Sequence, residues 1–182
     1  YNGLFFKQNI QKAIYWFNKS YVNKNKDSIF ALGYIYHEGR YFAQDINKSI
    51  KFYREASSFN DQFAKNNIGV IYRKGYDDKI EKNISAAIIY FKEAILQKND
   101  KVAMYNLAHI YIYEETMNKS FEESIDLLIQ SSKQNFIPSQ ILLCVILFKK
   151  YGKESFIMKI KEYTKNSGDL TLQLLKIIQN QQ

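Results

Sequence analysis

The sequence predicts an all-α fold, an α/α solenoid of antiparallel helix pairs, and three observations predict it. One Pro and seven Gly punctuate 182 residues, too little for the many turns of an all-β chain. Apolar residues make up 46% and aromatic residues 16%, which is ample for a packed core and too much for a disordered tail. Similar segments recur at spacings of 36, 39 and 36 residues, and a period of that size marks a repeat architecture.

The segments that begin at Ser28, Ala64, Ala103 and Ser139 superpose Leu32, Ile68, Leu107 and Leu143. In the same register fall the small residues Gly33, Gly69, Ala108 and Cys144, then Tyr36, Tyr72, Tyr111 and Leu147, then Gly39 and Gly75. A second set interleaves with the first. Ile14, Ile50, Ile88, Ile125 and Ile157 are each followed three residues on by Phe17, Tyr53, Phe91, Leu128 and Ile160, and six on by Ser20, Ala56, Ala94, Ser131 and Tyr163. These offsets place the side chains on one helical stripe. Each unit therefore reads as a helix A, a loop and a helix B. The A helices fall near 28–38, 62–74, 100–113, 138–149 and 169–180, and the B helices near 8–23, 47–59, 83–97, 119–134 and 153–165.

Packing explains the repeated positions. Glycine inside a helix costs up to ~1 kcal/mol of propensity, so Gly33 and Gly69 call for a close approach of helix B. Gly39 and Gly75 suit the left-handed residue that ends a helix. Asn47, Asn83 and Asn118 precede B helices and are expected to cap them. Each lies in an Asn-x-Ser triplet, as does Asn18; capping is preferred to glycosylation because Asn and Lys are abundant throughout and Asn18 falls inside an expected helix. Cys144, the one cysteine, lies in the apolar segment Ile141 to Phe148 and reads as a small buried side chain.

The segment from Ala31 to Ser57, with Leu32, Gly33, Tyr36, Gly39, Asp45, Phe52, Tyr53 and Ala56, resembles the Sel-1-like repeat, a branch of the tetratricopeptide-type helical repeats. The next unit keeps Gly69, Tyr72, Gly75, Ala87, Tyr90, Phe91 and Ala94, with Asn83 in place of Asp45. The third keeps Leu107 and Tyr111, with Ala108 for Gly and Glu114 at the turn glycine, and the fourth keeps little beyond apolar character. The resemblance implies one repeat domain over 1–182, a right-handed superhelix with A helices on its concave wall, used as an adaptor and not as a catalyst. Members of one bacterial branch staple their repeats with cysteines; a single Cys leaves this chain to stacking alone.

The charge count tests other functions. Lys and Arg number 26 against 18 acids, a net charge of +8. Residues 1–26 and 127–182 each carry +5, whereas residues 27–126 carry −2, and only Arg40, Arg54 and Arg73 are arginines. Specific phosphate and guanine recognition favours Arg, so nucleic acid is a disfavoured partner. No apolar run approaches the ~20 residues that span a bilayer, and the chain reads as soluble, with cytoplasm and endoplasmic-reticulum lumen both open. His37 and His109 are the only histidines and have no further ligand at metal spacing. No phosphate loop, nucleophile elbow or zinc-protease motif occurs. The acid pairs Asp77 and Asp78, Glu114 and Glu115, and Glu122 and Glu123 sit in loops or helix starts. Neither enzymatic activity, a cofactor nor a metal is therefore expected.

A protein or peptide partner remains. Counting from the small residue of helix A, offsets −3, +1 and +4 share the side expected to face the concavity. They are Phe30, Tyr34 and His37, then Asn66, Val70 and Arg73, then Tyr105, His109 and Ile112. The alternative use is as a structural subunit buried in a larger complex. The chain also reads as a piece of a longer array: Asn2 and Gly3 align with Glu38 and Gly39, and Leu170 to Ile178, with Leu175 in the leucine register, forms a helix A without a following B. Unpaired end helices would expose apolar residues such as Ile14, Phe17 and Leu174. From the charge distribution, binding to single or double strands is expected to be weak and indifferent to sequence, and to vanish at physiological salt in a titration by fluorescence anisotropy. Tight binding that survives such salt and depends on the terminal lysines would refute this.

Overall fold

The computed structural model describes residues 2–40, 43–76, 79–114, 121–165, 172 and 174, with side chains from residue 11 onward except that of Lys153. Among these residues the chain forms α1 (Asn2–Val22), α2 (Lys26–Glu38), α3 (Ile46–Ser58), α4 (Gln62–Lys74), α5 (Ile84–Lys98), α6 (Lys101–Tyr113), α7 (Phe121–Lys133) and α8 (Ile137–Tyr163). The one strand-like pairing among them is an antiparallel bridge between Tyr76 and Ile80. Gly152, with φ 73° and ψ 173°, interrupts α8, so the part before it is a helix A and the part after it a helix B. The fold is the all-α helix-pair repeat of the solenoid class. A helices are α2, α4, α6 and the first part of α8. The expected helix over 169–180 lies outside the described residues, except for Leu172 and Leu174.

The helices group into two compact units, residues 1–98 and 99–182. In the first, each of α1 to α4 packs on the helix that follows it and α2 also meets α4; in the second, α7 packs on both α6 and α8. The leucine register forms the interior, with Leu32, Ile68 and Leu143 fully buried and Leu107 3% exposed. The helix B stripe holds at Ile50, Tyr53, Ala56, Phe91, Ala94, Ile125, Leu128 and Ile160, all buried. It slips at Ile157, which is 47% exposed while its neighbour Phe156 is buried. Two end expectations change likewise: Leu174 is fully buried in the second unit's core, and Ile14 and Phe17 are half-buried, whereas Tyr15, Trp16 and Val22 are exposed, among the described side chains of α1.

Helices A and B meet closely at the small residue. A methyl group on Gly33 would lie 2.7 Å from the Tyr53 ring, and one on Gly69 would lie 2.7 Å from the Phe91 ring. In the same register of the second unit, Ala108 is matched by Leu128 and Cys144 by Ile160, all four in one core cluster. The pair changes from glycine with an aromatic ring to a larger residue with an aliphatic one, keeping the summed volume in bounds. A turn further along, Tyr36 stacks on Phe52 with ring centres 5.8 Å apart, and Tyr72 stacks on Tyr90 at the same distance.

The turns from B to A are built alike. Lys24, Asn60, Asn99 and Asn135 all adopt positive φ, between 53° and 61°. The next residue caps helix A in three of the four: Asn25 accepts from the Ser28 N–H, Asp61 from that of Ala64, and Asp100 from those of Val102 and Ala103. Such caps are each worth roughly 1 kcal/mol. The fourth, Phe136, makes no side-chain cap, and Pro138 occupies the first turn. At the B helices, Asn83 caps α5 through the Ala86 N–H at 2.8 Å. Asn47 does not cap α3. That role belongs to Asp45, which accepts from the Lys48 N–H at 2.9 Å, because Asp45 and Asn83 are the equivalent positions: their N–H groups donate to the carbonyls of Tyr36 and Tyr72. Asn118, Asp77, Asp78 and Glu115 lie outside the described residues.

Cys144 is buried as expected, and burial pushes its thiol up to about 11 from 9. Two predictions follow from the packing. Gly33→Ala and Gly69→Ala are each expected to lower stability by up to about 2 kcal/mol in denaturant titration, an overpacking cost of about 1–3 kcal/mol less the ~1 kcal/mol gain in helix propensity. Leu128→Phe is expected to destabilise likewise and to be partly rescued by Ala108→Gly; absence of rescue would refute the matched-pair account. Because the folded thiol keeps its proton where the unfolded one loses it, stability falls as pH rises from about 9 to about 11. A Cys144→Ala chain should lose less stability over that window than the native chain, measured by the same titration.

Candidate interaction surface

In the first unit, the outward sides of α2 and α4 meet at both ends. At one end the Phe30 ring lies 6.2 Å from that of Phe63 and 5.6 Å from that of Tyr53. At the other, His37 Nε2 lies 2.8 Å from the Tyr76 hydroxyl, and the Lys74 ammonium sits 4.5 Å above the Tyr76 ring. Burial lowers the His37 pKa, and Lys74 lowers it further while Glu38 opposes, so the ring is neutral at pH 7 and shares one proton-mediated contact with the tyrosine. Tyr34 is 46% exposed between these ends and Phe63 is 54% exposed.

Of the six expected residues of this unit, Tyr34 is exposed and Phe30, His37, Val70 and Arg73 are half-buried. Phe30 is half-buried and packs against the core. Asn66 is 7% exposed and lies beneath the surface, so the −3 offset serves the interior in α4. Arg73 stands apart in its chemistry: one terminal nitrogen of its guanidinium is buried and has no hydrogen-bond partner. A buried unpaired donor costs on the order of 1–3 kcal/mol, more for a charged group.

In the second unit, Tyr105 meets Phe136 edge-on at 5.8 Å and lies 6.2 Å from His109, which is 4.6 Å from Tyr113. Tyr105 and Ile112 pack against the core, whereas Tyr113 is 50% exposed. Sequence reasoning passed over Phe63, Lys74, Tyr76 and Tyr113, and it stopped one repeat short. Offsets −3, +1 and +4 from Cys144 are Ile141, Val145 and Phe148, all between 44% and 51% exposed. The signal that could have found them is the register already set by Leu143 and Cys144.

Elsewhere in the first unit, two open depressions lie on the B-helix side, of about 530 Å³ and 270 Å³. Arg54 lines both and donates to the Tyr72 hydroxyl at 2.9 Å. Among the described residues, no group of three or more His, Cys, Asp and Glu is placed to hold a metal ion, and no helix is long and apolar enough to cross a membrane. What the A-helix faces offer is aromatic area with hydroxyl and amine tips. Those groups recognise a surface by burial and hydrogen bonding.

The sequence profile of the Sel1 repeat matches residues 1–21, 26–58, 62–99 and 101–136. No curated protein is similar enough in sequence to match. Among solved structures, the Sel1 repeat protein from Oxalobacter formigenes superposes with a TM-score of 0.68 at 22% identity, over 86% of this chain and 64% of that one. The protein c5321, described as a protective antigen present in uropathogenic Escherichia coli strains displaying an SLR fold, gives a TM-score of 0.70 at 21% identity, over 90% of this chain and 36% of that one. The chain spans less than two thirds of either of these proteins, and the likeness is one of fold. The matches over 26–58, 62–99 and 101–136 coincide with the helix pairs α2–α3, α4–α5 and α6–α7, and the match over 1–21 covers α1; on that ground the chain belongs to the Sel1 repeat family.

Proposed function

We propose that the chain is a non-catalytic protein-interaction scaffold that binds a partner peptide or helix on the outward faces of its A helices. Sel1-like repeats are generally scaffolds of this kind. The observation that supports the reading is Tyr34, an aromatic side chain 46% exposed on helix A, with the half-buried Arg73 at the +4 position of the next helix A. The accessible part of that guanidinium can pair with a partner carboxylate, and Arg–carboxylate contacts are among the strong ones. Tyrosine and arginine are also the residue types enriched where binding energy concentrates. On this reading the chain needs no cofactor, and its partner carries an acidic or apolar face.

A second reading, a structural subunit held in a larger assembly, is favoured by α1, where Tyr15, Trp16 and Val22 are 60%, 59% and 78% exposed. The two separate by mutation. Tyr34→Ala and Arg73→Ala, and Tyr105→Ala if its helix content is unchanged, should each weaken partner capture from lysate about tenfold or more, the loss of one strong contact. Lys51→Ala and Lys92→Ala, on exposed helix B positions, should leave it within about twofold. Capture that depends instead on Trp16, with Tyr34 and Arg73 indifferent, would favour the subunit reading.

A further inference from the structure

Among the described residues, one exposed apolar strip has neither a charge to interrupt it nor a neighbour to cover it. Ile137, Ile141, Val145 and Phe148 follow one another along the first part of α8 and are 54%, 44%, 51% and 49% exposed. Steps of four, four and three residues keep them on one side of the helix, a ridge about 16 Å long at 1.5 Å per residue. The opposite side of the same segment is the second unit's core, where Leu142, Leu143, Ile146 and Leu147 pack with Leu174. Burying the outer side as well would make the helix apolar all round, as it is in a helix buried on every side.

The charge pattern says what covers it. Residues 134–148 contain no charged side chain, and the run ends at Lys149 and Lys150. Lys150 lies 3.8 Å from Glu122 and 3.4 Å from the centre of the Phe121 ring, so it is engaged within the unit. Lys149 is exposed and makes no ion pair among the described residues. A second copy laid on the strip about a twofold axis would set this ammonium against the partner's uncharged Ile137 end, with no acid to meet it. An amphipathic helix with acids at one end meets both demands.

We propose that the outer side of α8 from Ile137 to Phe148 is a docking strip for a partner helix of about three turns, with a ridge of aliphatic side chains and a carboxylate placed over Lys149. The inference rests on the scaffold reading and specifies a partner class for the second unit. The strip is too short, and too firmly packed on its other side, to be a helix lying free in a lipid interface, where the apolar face of a whole helix inserts.

The test uses the full chain and a labelled synthetic helix of about 18 residues, with leucines at i, i+4, i+7 and i+11 and three glutamates in its last turn, read by fluorescence anisotropy. Saturable binding is expected, weakened about tenfold or more by the exposed-site double change Ile141→Ser with Val145→Ser, and severalfold by Lys149→Glu. Lys149→Glu should in turn improve binding of the same helix carrying lysines in place of its glutamates. Circular dichroism of each variant separates loss of binding from loss of fold. Failure of the helix to saturate overturns the proposal, as does equal binding by the native chain and the double variant. Self-association in light scattering that Val145→Ser abolishes would assign the strip to a second copy, and sedimentation with anionic vesicles that depends on the strip would assign it to a membrane; either overturns the proposal. If the probe fails while partner capture still depends on Tyr34 and Arg73, the strip alone is refuted and the scaffold reading stands.

Discussion

The contact on which the rest depends is the touching of helix A and helix B at the small residue. With no side chain on Gly33, the Tyr53 ring lies against the α2 backbone, and Ser49 of the same helix donates to the Gly33 carbonyl at 2.9 Å. That separation fixes which residues of α2 face inward, and with them Ile29 and Leu32, both fully buried. The same logic recurs with Phe91 against Gly69. Because interiors are close-packed, a pair that is not matched in size would displace the helix and carry its outward face with it. The outward face is thus set from within, by buried residues.

Much of this was legible in the sequence, since period and residue size are local properties of a chain. Leu32, Ile68, Leu107 and Leu143 announced the interior, and Gly33 with Tyr53 the close approach. What escaped was of two kinds. The sequence expects Asn47 to cap α3 because it precedes a B helix, although the repeat alignment already sets Asn83 opposite Asp45; the Tyr36 and Tyr72 carbonyls, which accept from the N–H groups of Asp45 and Asn83, make that alignment the one that decides the cap. The outward face was read from offsets alone, and an offset cannot tell an open side chain from one roofed by its neighbour. Asn66 is covered while Tyr34 is open, and His37 is bound to Tyr76, two residues past the end of α4. Gly152 lies where helix A ends and sets the start of the next helix B, and the chain emerges from it with Phe156 inward instead of Ile157.

The two units offer different chemistry on similar scaffolding. The first carries a guanidinium, a neutral imidazole and tyrosine hydroxyls, polar groups whose hydrogen bonds depend on direction. The second offers aliphatic area on α8 beside the ring series Phe136, Tyr105, His109 and Tyr113, which contributes burial with little directional demand. A repeat array makes this division easy, because each helix pair holds its neighbours through buried positions and leaves its outer residues free to differ.

The turns from B to A carry one further consequence, for how such a chain accommodates changes in length. Lys24, Asn60, Asn99 and Asn135 each hold a left-handed backbone conformation immediately before the residue that starts helix A, and at the first three an extra residue there would detach the cap from its N–H and turn the next helix out of register. The connections from A to B are looser: six residues lie between Gly39 and Ile46, and eight between Gly75 and Ile84, with the chain re-entering its helix through the same carbonyl bond in both cases. In the first unit, changes in length are thereby easier to accommodate at the A-to-B edge, whereas at Gly152 helix A runs into helix B with no loop between them. Loops of variable length can be added or trimmed along that edge while the spacing of the helices, and the faces they present, stays the same.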